Sequence, residues 1–417
     1  MHTQPKNFRR ILFVLLGLLL TISTIHAMTI SGTDKDTLLT GNQSQTATTE
    51  KKDIVDVIDN VLDLRTRNDS AELNGKGPFV SVIPAIGYAI ESGWNAVLAS
   101  GISFYTSNAR KKLSTILINA NYSQLNQYWT IANSTVFFDK QKFHLSGDWR
   151  YYRFPTQTFG LGPESTASDA MNIDYSYLRI YQSACKEITP NLFVGLGYNL
   201  DDHWDIKAKR TQGITYPEFM KLENSTRSIS SGISLSIQFD DRRNSTNPTN
   251  GSYLKFQVRD NLSALGSTHN WQSMQIDIRH YIKCSSTRHS VLAFWAYSNM
   301  TLSGTPPYLD LPSIGWDDYS NTGRGYIQGR FTDWNLIYME SEYRFNILQN
   351  GLLGGVLFTN SETLYKAIRG AFEDFIPGYG AGLRIKMNKY SNTNIAVDYG
   401  FGIGGSKGFF FNLGEAF

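Results

Sequence analysis

The pattern of apolar and polar positions changes character near residue 78. Beyond it the period is two. Ile395, Val397, Tyr399, Phe401 and Ile403 alternate with Asn394, Ala396, Asp398, Gly400 and Gly402. Leu254, Phe256 and Val258 alternate with Lys255, Gln257 and Arg259, and Ile337, Met339, Tyr343 and Phe345 with Tyr338, Glu340, Glu342 and Arg344. Successive side chains of a strand point to opposite faces, so each segment has one apolar and one polar face. A soluble sandwich alternates too, but it buries the apolar face and rarely needs so many long strands. A barrel with lipid outside and an aqueous lumen repeats the pattern around its circumference, and about sixteen strands are expected here. They begin near Pro78, Trp94, Leu113, Tyr128, Gln141, Met171, Asn191, Arg227, Gly251, Trp271, Ser290, Asn335, Gly351, Ile376, Asn394 and Gly408.

The connections support that count. The longest, 156–168, 203–225, 303–334 and 361–374, fall at connections five, seven, eleven and thirteen, all odd. Even-numbered ones are brief: Thr189-Pro190, Leu348-Gln349-Asn350, and Tyr390 to Asn392. With both chain ends in the periplasm, this matches the long external loops and short periplasmic turns of outer-membrane barrels. The fold class expected is all-β, a sixteen-stranded antiparallel transmembrane barrel. Aromatics near strand ends, among them Trp94, Trp129, Trp149 and Tyr343, fit interfacial girdles or lumen-filling side chains.

Ahead of the barrel, Lys6, Arg9 and Arg10 precede the apolar run Ile11 to Ile22, and a polar stretch ends at Ala27. That order is that of an export signal over 1–27. Residues 28 to about 50 are rich in Thr, Ser, Gln, Asn and Gly, as in a flexible linker. Ile54, Val57, Ile58, Val61 and Leu62 then follow the spacing of a short amphipathic helix. The expected organisation is therefore a signal peptide 1–27, a periplasmic linker with a helix 28–77, and a barrel 78–417. The location expected is the bacterial outer membrane.

Composition narrows the function classes. The formal charge of +3 is too small for a nucleic-acid binder. Aromatics at 13% exclude chain-wide disorder. Beyond the first 27 residues no apolar run approaches the roughly 20 residues of a spanning helix. Cys185 and Cys284 are the only cysteines. They fall near the periplasmic ends of strands six and ten. Four strand spacings of about 4.8 Å exceed the reach of about 7 Å for a disulfide, so no bridge is expected. No H-E-x-x-H or P-loop occurs, and the histidines His203, His269 and His280 lack nearby ligand partners. Neither enzyme activity, metal nor cofactor is expected.

Three segments say more than barrel. The chain ends Phe409-Phe410-Phe411-Asn412-Leu413-Gly414-Glu415-Ala416-Phe417. Phe409, Phe411, Leu413 and Phe417 form the aromatic signal that bacterial assembly machinery reads on a last strand, which must pair with the first to leave no open edge. Phe239-Asp240-Asp241-Arg242-Arg243 is followed by Asn247-Pro248-Thr249-Asn250-Gly251. There Asp241 and Arg242 end a strand, while Pro248 and Gly251 supply the fixed and positive φ of a tight periplasmic turn. Arg324-Gly325-Tyr326 lies in the sixth external connection, with Glu342-Tyr343-Arg344-Phe345 and Asp398-Tyr399-Gly400 on later strands.

This combination resembles the BamA/TamA-like family of bacterial surface antigens over about residues 78 to 417. The resemblance implies a sixth loop folded into the lumen and anchored by Arg324, Gly325 and Tyr326. A guanidinium buried there needs a carboxylate. Alternation puts Glu340, Glu342 and Asp398 on the inward face. Asp398 is the first choice by analogy with the family's pairing, and Glu342 the second. Residues 28–77 are too few for a POTRA module, so a member acting with a separate periplasmic partner is expected. The resemblance further implies a component of outer-membrane protein or lipoprotein assembly or translocation, with a seam near Phe79 to Val82 and Phe409 to Phe417 that can open. Its partners would be outer-membrane lipids and assembly or client proteins, and no nucleic acid. A passive pore or transporter, or a platform barrel, are the alternatives.

Overall fold

The structure, a computed structural model, describes residues 51–54, 56–57, 78–89, 92–106, 114–138, 142–153, 155–209, 226–285, 289–318, 320–366, 374–389 and 391–417. The export signal and linker expected over 1–50 lie outside the described residues, as do Ile58, Val61 and Leu62.

Sixteen long strands follow in order: β1 Phe79–Ala89, β2 Gly93–Phe104, β3 Ser114–Ser123, β4 Tyr128–Phe138, β5 Phe143–Arg153, β6 Met171–Thr189, β7 Leu192–Lys209 and β8 Arg227–Asp240. The second half comprises β9 Gly251–Asn261, β10 Trp271–Ser285, β11 Ser290–Gly304, β12 Asn335–Asn346, β13 Leu353–Tyr365, β14 Ile376–Asn388, β15 Thr393–Gly402 and β16 Lys407–Leu413. Each begins within two residues of its expected start. Beyond Pro155, which has no N–H to donate, Thr156–Thr158 continues β5 alongside β6.

Every strand pairs antiparallel with the next, from β1–β2 to β15–β16. β1 and β16 approach each other, yet among the described residues no ladder joins them. The meander is therefore a nearly closed barrel. β6 and β7, at 19 and 18 residues, are longer than the roughly 9–11 residues that cross a hydrocarbon layer, and must project beyond it.

The two faces divide as lipid and lumen require. Leu98, Leu196, Leu235, Leu357, Tyr379 and Leu383 are exposed on the outside, and Trp94, Trp149 and Tyr343 point out with them. Trp129 does not. It packs on an interior cluster built around Tyr152, Tyr175, Tyr177 and Ile206. The reason is its parity on β4, opposite Tyr152 and away from the outward Tyr151. Cys185 is buried, Cys284 is exposed, and both are free.

The connection between β11 and β12, residues 305–334 (loop six), buries side chains against the strands. Its Tyr308 and Leu311 pack with Tyr152 and Tyr177, while its Ile314, Tyr326 and Phe331 pack with Tyr281, Trp295 and Tyr338. At the short-turn end, Lys52, Asp53 and Asp56 contact the barrel. Lys52 N–H donates to Asn350 O at 3.2 Å, Lys389 N–H to Asp53 at 2.9 Å, and Lys389 Nζ to Asp56 at 2.8 Å. Asp53 and Asp56 also accept each other's backbone N–H, as in a capping box that starts a helix at Ile54.

Candidate functional site: the arginine of loop six

The side chain of Arg324 is fully buried. Its Nη1 donates to Asp398 Oδ2 at 2.5 Å, and its Nη2 donates to both Glu340 and Glu342. The guanidinium carbon stands 3.8 Å from the centroid of Phe358, a cation–π geometry on the face left without a carboxylate. Asp398 is on β15, Glu340 and Glu342 on β12, and Phe358 on the intervening β13. The inward-facing position recurs every second residue, so Glu340 and Glu342 are presented to the same point.

Two further arginines complete the cluster. Arg384 on β14 donates to Asp398 at 2.5 Å and to Glu415 at 2.6 Å. Arg344 on β12 donates to Glu342 at 2.5 Å. Tyr338 hydroxyl donates to Glu340. Three guanidinium groups thus face the four carboxylates of Glu340, Glu342, Asp398 and Glu415. Charges buried in this way are stable only as a paired, hydrogen-bonded set, and removing one partner typically costs about 3–5 kcal/mol. Burial opposes the charge of Glu415, but Arg384 and Arg344 outweigh it and hold that carboxyl below the ordinary glutamate range.

Backbone geometry lets the loop approach this closely. Gly325 has φ +119°, in the region that favours glycine. A Cβ there would lie 2.7 Å from Phe401 O, while one on Gly400 would lie 2.7 Å from Gly325 N. The β15 wall and the loop tip therefore meet main chain to main chain. Tyr326 hydroxyl donates to Pro377 O and accepts from Ile403 N–H at 2.9 Å. Asn360 Nδ2 donates to Arg324 O and Ser406 Oγ to Gly325 O, at 2.9 and 2.7 Å.

Ahead of the tip, Asp317 Oδ1 accepts the backbone N–H groups of Asn321 and Thr322. Arg150 on β5 donates to Asp317 O and Asp318 O at 2.9 and 2.6 Å. Lys255 on β9 donates to Asp318 at 3.0 Å. Loop six thus hydrogen-bonds to β5 and β9 as well as to β12, β13, β14 and β15.

The mid-barrel motif is placed differently from its expectation. Asp241 and Arg242 lie just beyond β8, which ends at Asp240, and Arg242 donates to Asp240 at 2.9 Å. Asp241 instead accepts the N–H of Ser252 at 2.5 Å. Gly251 has φ +103°, and a Cβ on it would meet Asp241 Oδ1. The connection 241–250 (turn eight), with Pro248 buried in it, is no tight hairpin. Asn244 and Asn247 donate to Ser391 O and Asn392 O at 2.7 and 3.1 Å, on the turn between β14 and β15. Ten residues span the mouth because their polar side chains find backbone partners there.

The last strand also departs from expectation. Phe409 and Phe411 face outward, and Leu413, half-buried, is the last residue of β16. Phe417 is not on that outward row: the chain turns at Gly414, φ +99°, and Phe417 is buried inside. Sequence reasoning missed Arg384, Glu415 and Phe358. Arg384 and Phe358 sit at inward positions of their strands, but nothing local told which inward groups would meet Arg324, and Glu415 lies past the end of β16.

A sixteen-stranded antiparallel meander with an apolar exterior and an ion-paired interior is a bacterial outer-membrane barrel in architecture. The sequence matches the Omp85 superfamily domain over residues 108–417, and the chain belongs to that superfamily. This bears out the resemblance carried by the motifs. Among solved structures it is similar to CdiB from Acinetobacter baumannii, at 12% identity with a TM-score of 0.50, over 81% of this chain and 60% of that one. It is also similar to BamA from Haemophilus ducreyi lacking POTRA domains 1–3, at 14% identity with a TM-score of 0.49, over 79% and 69%. The chain thus spans about 60% of the length of CdiB. These likenesses concern the fold. No curated protein matches the sequence.

Proposed function

We propose that the protein is a component of outer-membrane protein or lipoprotein assembly or translocation, acting in the bacterial outer membrane with a separate periplasmic partner. In this reading loop six is folded into the lumen and anchored by Arg324, Gly325 and Tyr326. Outer-membrane lipids and client or assembly proteins are its partners, and no catalytic step is involved. Export through a signal over 1–27 and a barrel over 78–417 belong to the same proposal.

The observation that supports it is the seam. Every other neighbouring pair of strands shares a ladder, whereas none joins β1 to β16 among the described residues. Unpaired N–H and C=O groups facing lipid cost several kcal/mol each, so such an edge is poised to pair with an incoming strand. An anchored loop holds the wall while the seam is open.

The test is depletion of the protein followed by quantification of the outer-membrane proteome and of surface lipoproteins. Loss of several unrelated barrels or lipoproteins, with their periplasmic forms accumulating, is expected. An unchanged proteome with steady ohmic conductance in a planar bilayer would overturn the proposal in favour of a passive pore.

A further inference from the structure

Away from the Arg324 cluster, a polar cavity of about 90 Å³ lies between loop six and strands β6, β7, β9, β10 and β11. At about 10–15 Å³ per water it has room for roughly six to nine of them. Strand register sets Arg259, Ser273 and Thr301 side by side across β9, β10 and β11, and Gln257, Gln275 and Asn299 in the next row of the same face. All of these line the cavity. Arg259 is buried, yet its Nε has no hydrogen-bond partner among the described residues, and neither has Thr301 Oγ1. Aromatic rings share the lining: Tyr177 and Tyr181 of β6, Trp271, Tyr297, and Trp316 of loop six. The Trp271 indole is held in place, since its Nε1 donates to Ser230 Oγ at 3.0 Å and Ser230 donates to Asp310 of loop six at 2.5 Å. The charges are already matched. Asp201 accepts from Arg179 at 3.2 Å and from Arg259 at 2.6 Å, and Lys255 donates to Asp318 at 3.0 Å.

We propose that this cavity binds a single neutral sugar ring. A small ion finds its counter-charges there already paired, and an apolar ligand would leave Arg259 Nε and Thr301 Oγ1 without partners. A pyranose answers both. Each of its hydroxyls donates and accepts, which suits the amides of Gln257, Gln275 and Asn299 and the hydroxyls of Ser273 and Thr301. Its C–H face packs on aromatic rings, and a few placed polar groups among rings are the usual make-up of a small-molecule site. Loop six contributes Asp310, Trp316 and Asp318 to the lining, so a bound ring ties the loop to β9, β10 and β11 and stabilises its docked position. A free sugar and the end residue of a glycan present the same ring. The site does not rest on the assembly reading.

The test is saturation-transfer NMR on full-length protein folded in lauryldimethylamine oxide, a detergent with no sugar headgroup to compete. The probes are D-glucose, D-galactose and N-acetyl-D-glucosamine, each also as its methyl glycoside. Transfer to the ring protons of at least one sugar is expected. Ser273→Phe, which fills the cavity, is expected to weaken that binding at least tenfold. Arg227→Ala, in an exposed pair with Asp202, is expected to leave it within twofold. Where Ser273→Phe lacks the heat-modifiable mobility of a folded barrel, Asn299→Leu serves for the same comparison. No transfer from any probe, binding indifferent to the cavity variant, or displacement of the sugar by sodium phosphate overturns the site. Equal binding of a sugar and its methyl glycoside supports the end residue of a glycan as the ligand, and rejection of the glycoside supports the free sugar.

Discussion

Replacing Arg324 by Ala removes the only cation that bonds to Glu340, leaving that carboxylate with Tyr338 as its hydrogen-bonding partner among the described residues. It also takes a donor from Glu342 and from Asp398, which keep Arg344 and Arg384. All three carboxylates are fully buried. Each lost charge-assisted bond is typically worth about 1.5–3 kcal/mol, but the remaining cations relax toward the gap, so the sum is not additive. The net cost expected is about 3–5 kcal/mol, which at 1.4 kcal/mol per decade is a factor of roughly 10² to 10⁴ in the docking equilibrium of loop six. The readout is trypsin cleavage after Arg330, which in the docked loop donates to Ser165 O at 2.6 Å. Cleavage in the folded, detergent-solubilised protein should accelerate by at least a hundredfold, and the barrel should unfold at lower temperature. Arg324→Lys should fall between, because an ammonium cannot present the planar fork that meets several carboxylates at once. Arg227→Ala is the control: that side chain is 58% exposed in its pair with Asp202, and exposed pairs contribute about 0–1 kcal/mol. Cleavage within twofold of the unaltered protein, with an unchanged unfolding temperature, would refute the anchoring argument.

Other consequences can be checked on the same preparation. A side chain on Gly402 would run into the Tyr326 ring, so Gly402→Val should undock the loop at a cost of about 1–3 kcal/mol; wild-type protease resistance would contradict the close approach. Glu362 on β13 is fully buried, and neither of its carboxylate oxygens has a hydrogen-bond partner among the described residues. Glu362→Leu should therefore raise the unfolding temperature, by the equivalent of about 1–3 kcal/mol, and a fall of that size would mean the carboxyl has a partner. Burial of Asp318 opposes its charge, yet Lys255, helped by Arg150 and Arg179, holds the carboxyl well below the ordinary aspartate range, as the two arginines do for Glu415. Depressed carboxyl values stabilise above the unfolded-state value of about 4 and lose that contribution as pH falls through the folded-state value. The unfolding temperature should then be insensitive to these groups from pH 7 to 5 and drop below pH 4; a decline already between pH 8 and 6 would assign the dependence to other groups.

Strand positions were legible because lipid imposes a strict rule: an outward polar residue is costly, so alternation survives along almost every strand, and loop length marks the two ends. Leu254, Phe256 and Val258 announce their strand without any partner in view. The partners were less legible. Parity put Glu340, Glu342 and Asp398 on the inner face, but which inward group meets which depends on the stagger between strands, and that is set by all sixteen pairings together. The structure accordingly divides Arg324 among three carboxylates, where the residues suggested a ranked choice. Turn eight was misjudged for a related reason. Pro248 and Gly251 speak of local backbone shape, whereas the partners of Asn244 and Asn247 lie about 145 residues away. In the last segment the aromatic row suggested a strand running to Phe417, but Gly414 interrupts it, and the distant Trp295, on which Phe417 stacks, decides where the chain goes next.

Loop six, turn eight and the segment after β16 converge on one another. Asn321 of the loop donates to Ala416 O and accepts from Asn412 on β16, both at 2.6 Å. Thr246 of turn eight accepts from Glu415 N–H. β16 is therefore held by the ladder to β15 on one edge and by side chains from the lumen at its end, while among the described residues its edge toward β1 carries no ladder. The two restraints have different physics. A ladder facing lipid cannot be broken without exposing backbone groups to hydrocarbon, so the β15–β16 pairing is permanent. Ion pairs and amide bonds inside a polar lumen can be exchanged for water or for another polypeptide's groups at much smaller net cost. The free edge of β16 is thus controlled from inside the barrel: whatever displaces Glu415 from Arg384, or Asn321 from Ala416, loosens the strand end without touching the membrane-facing pairing that keeps the barrel whole.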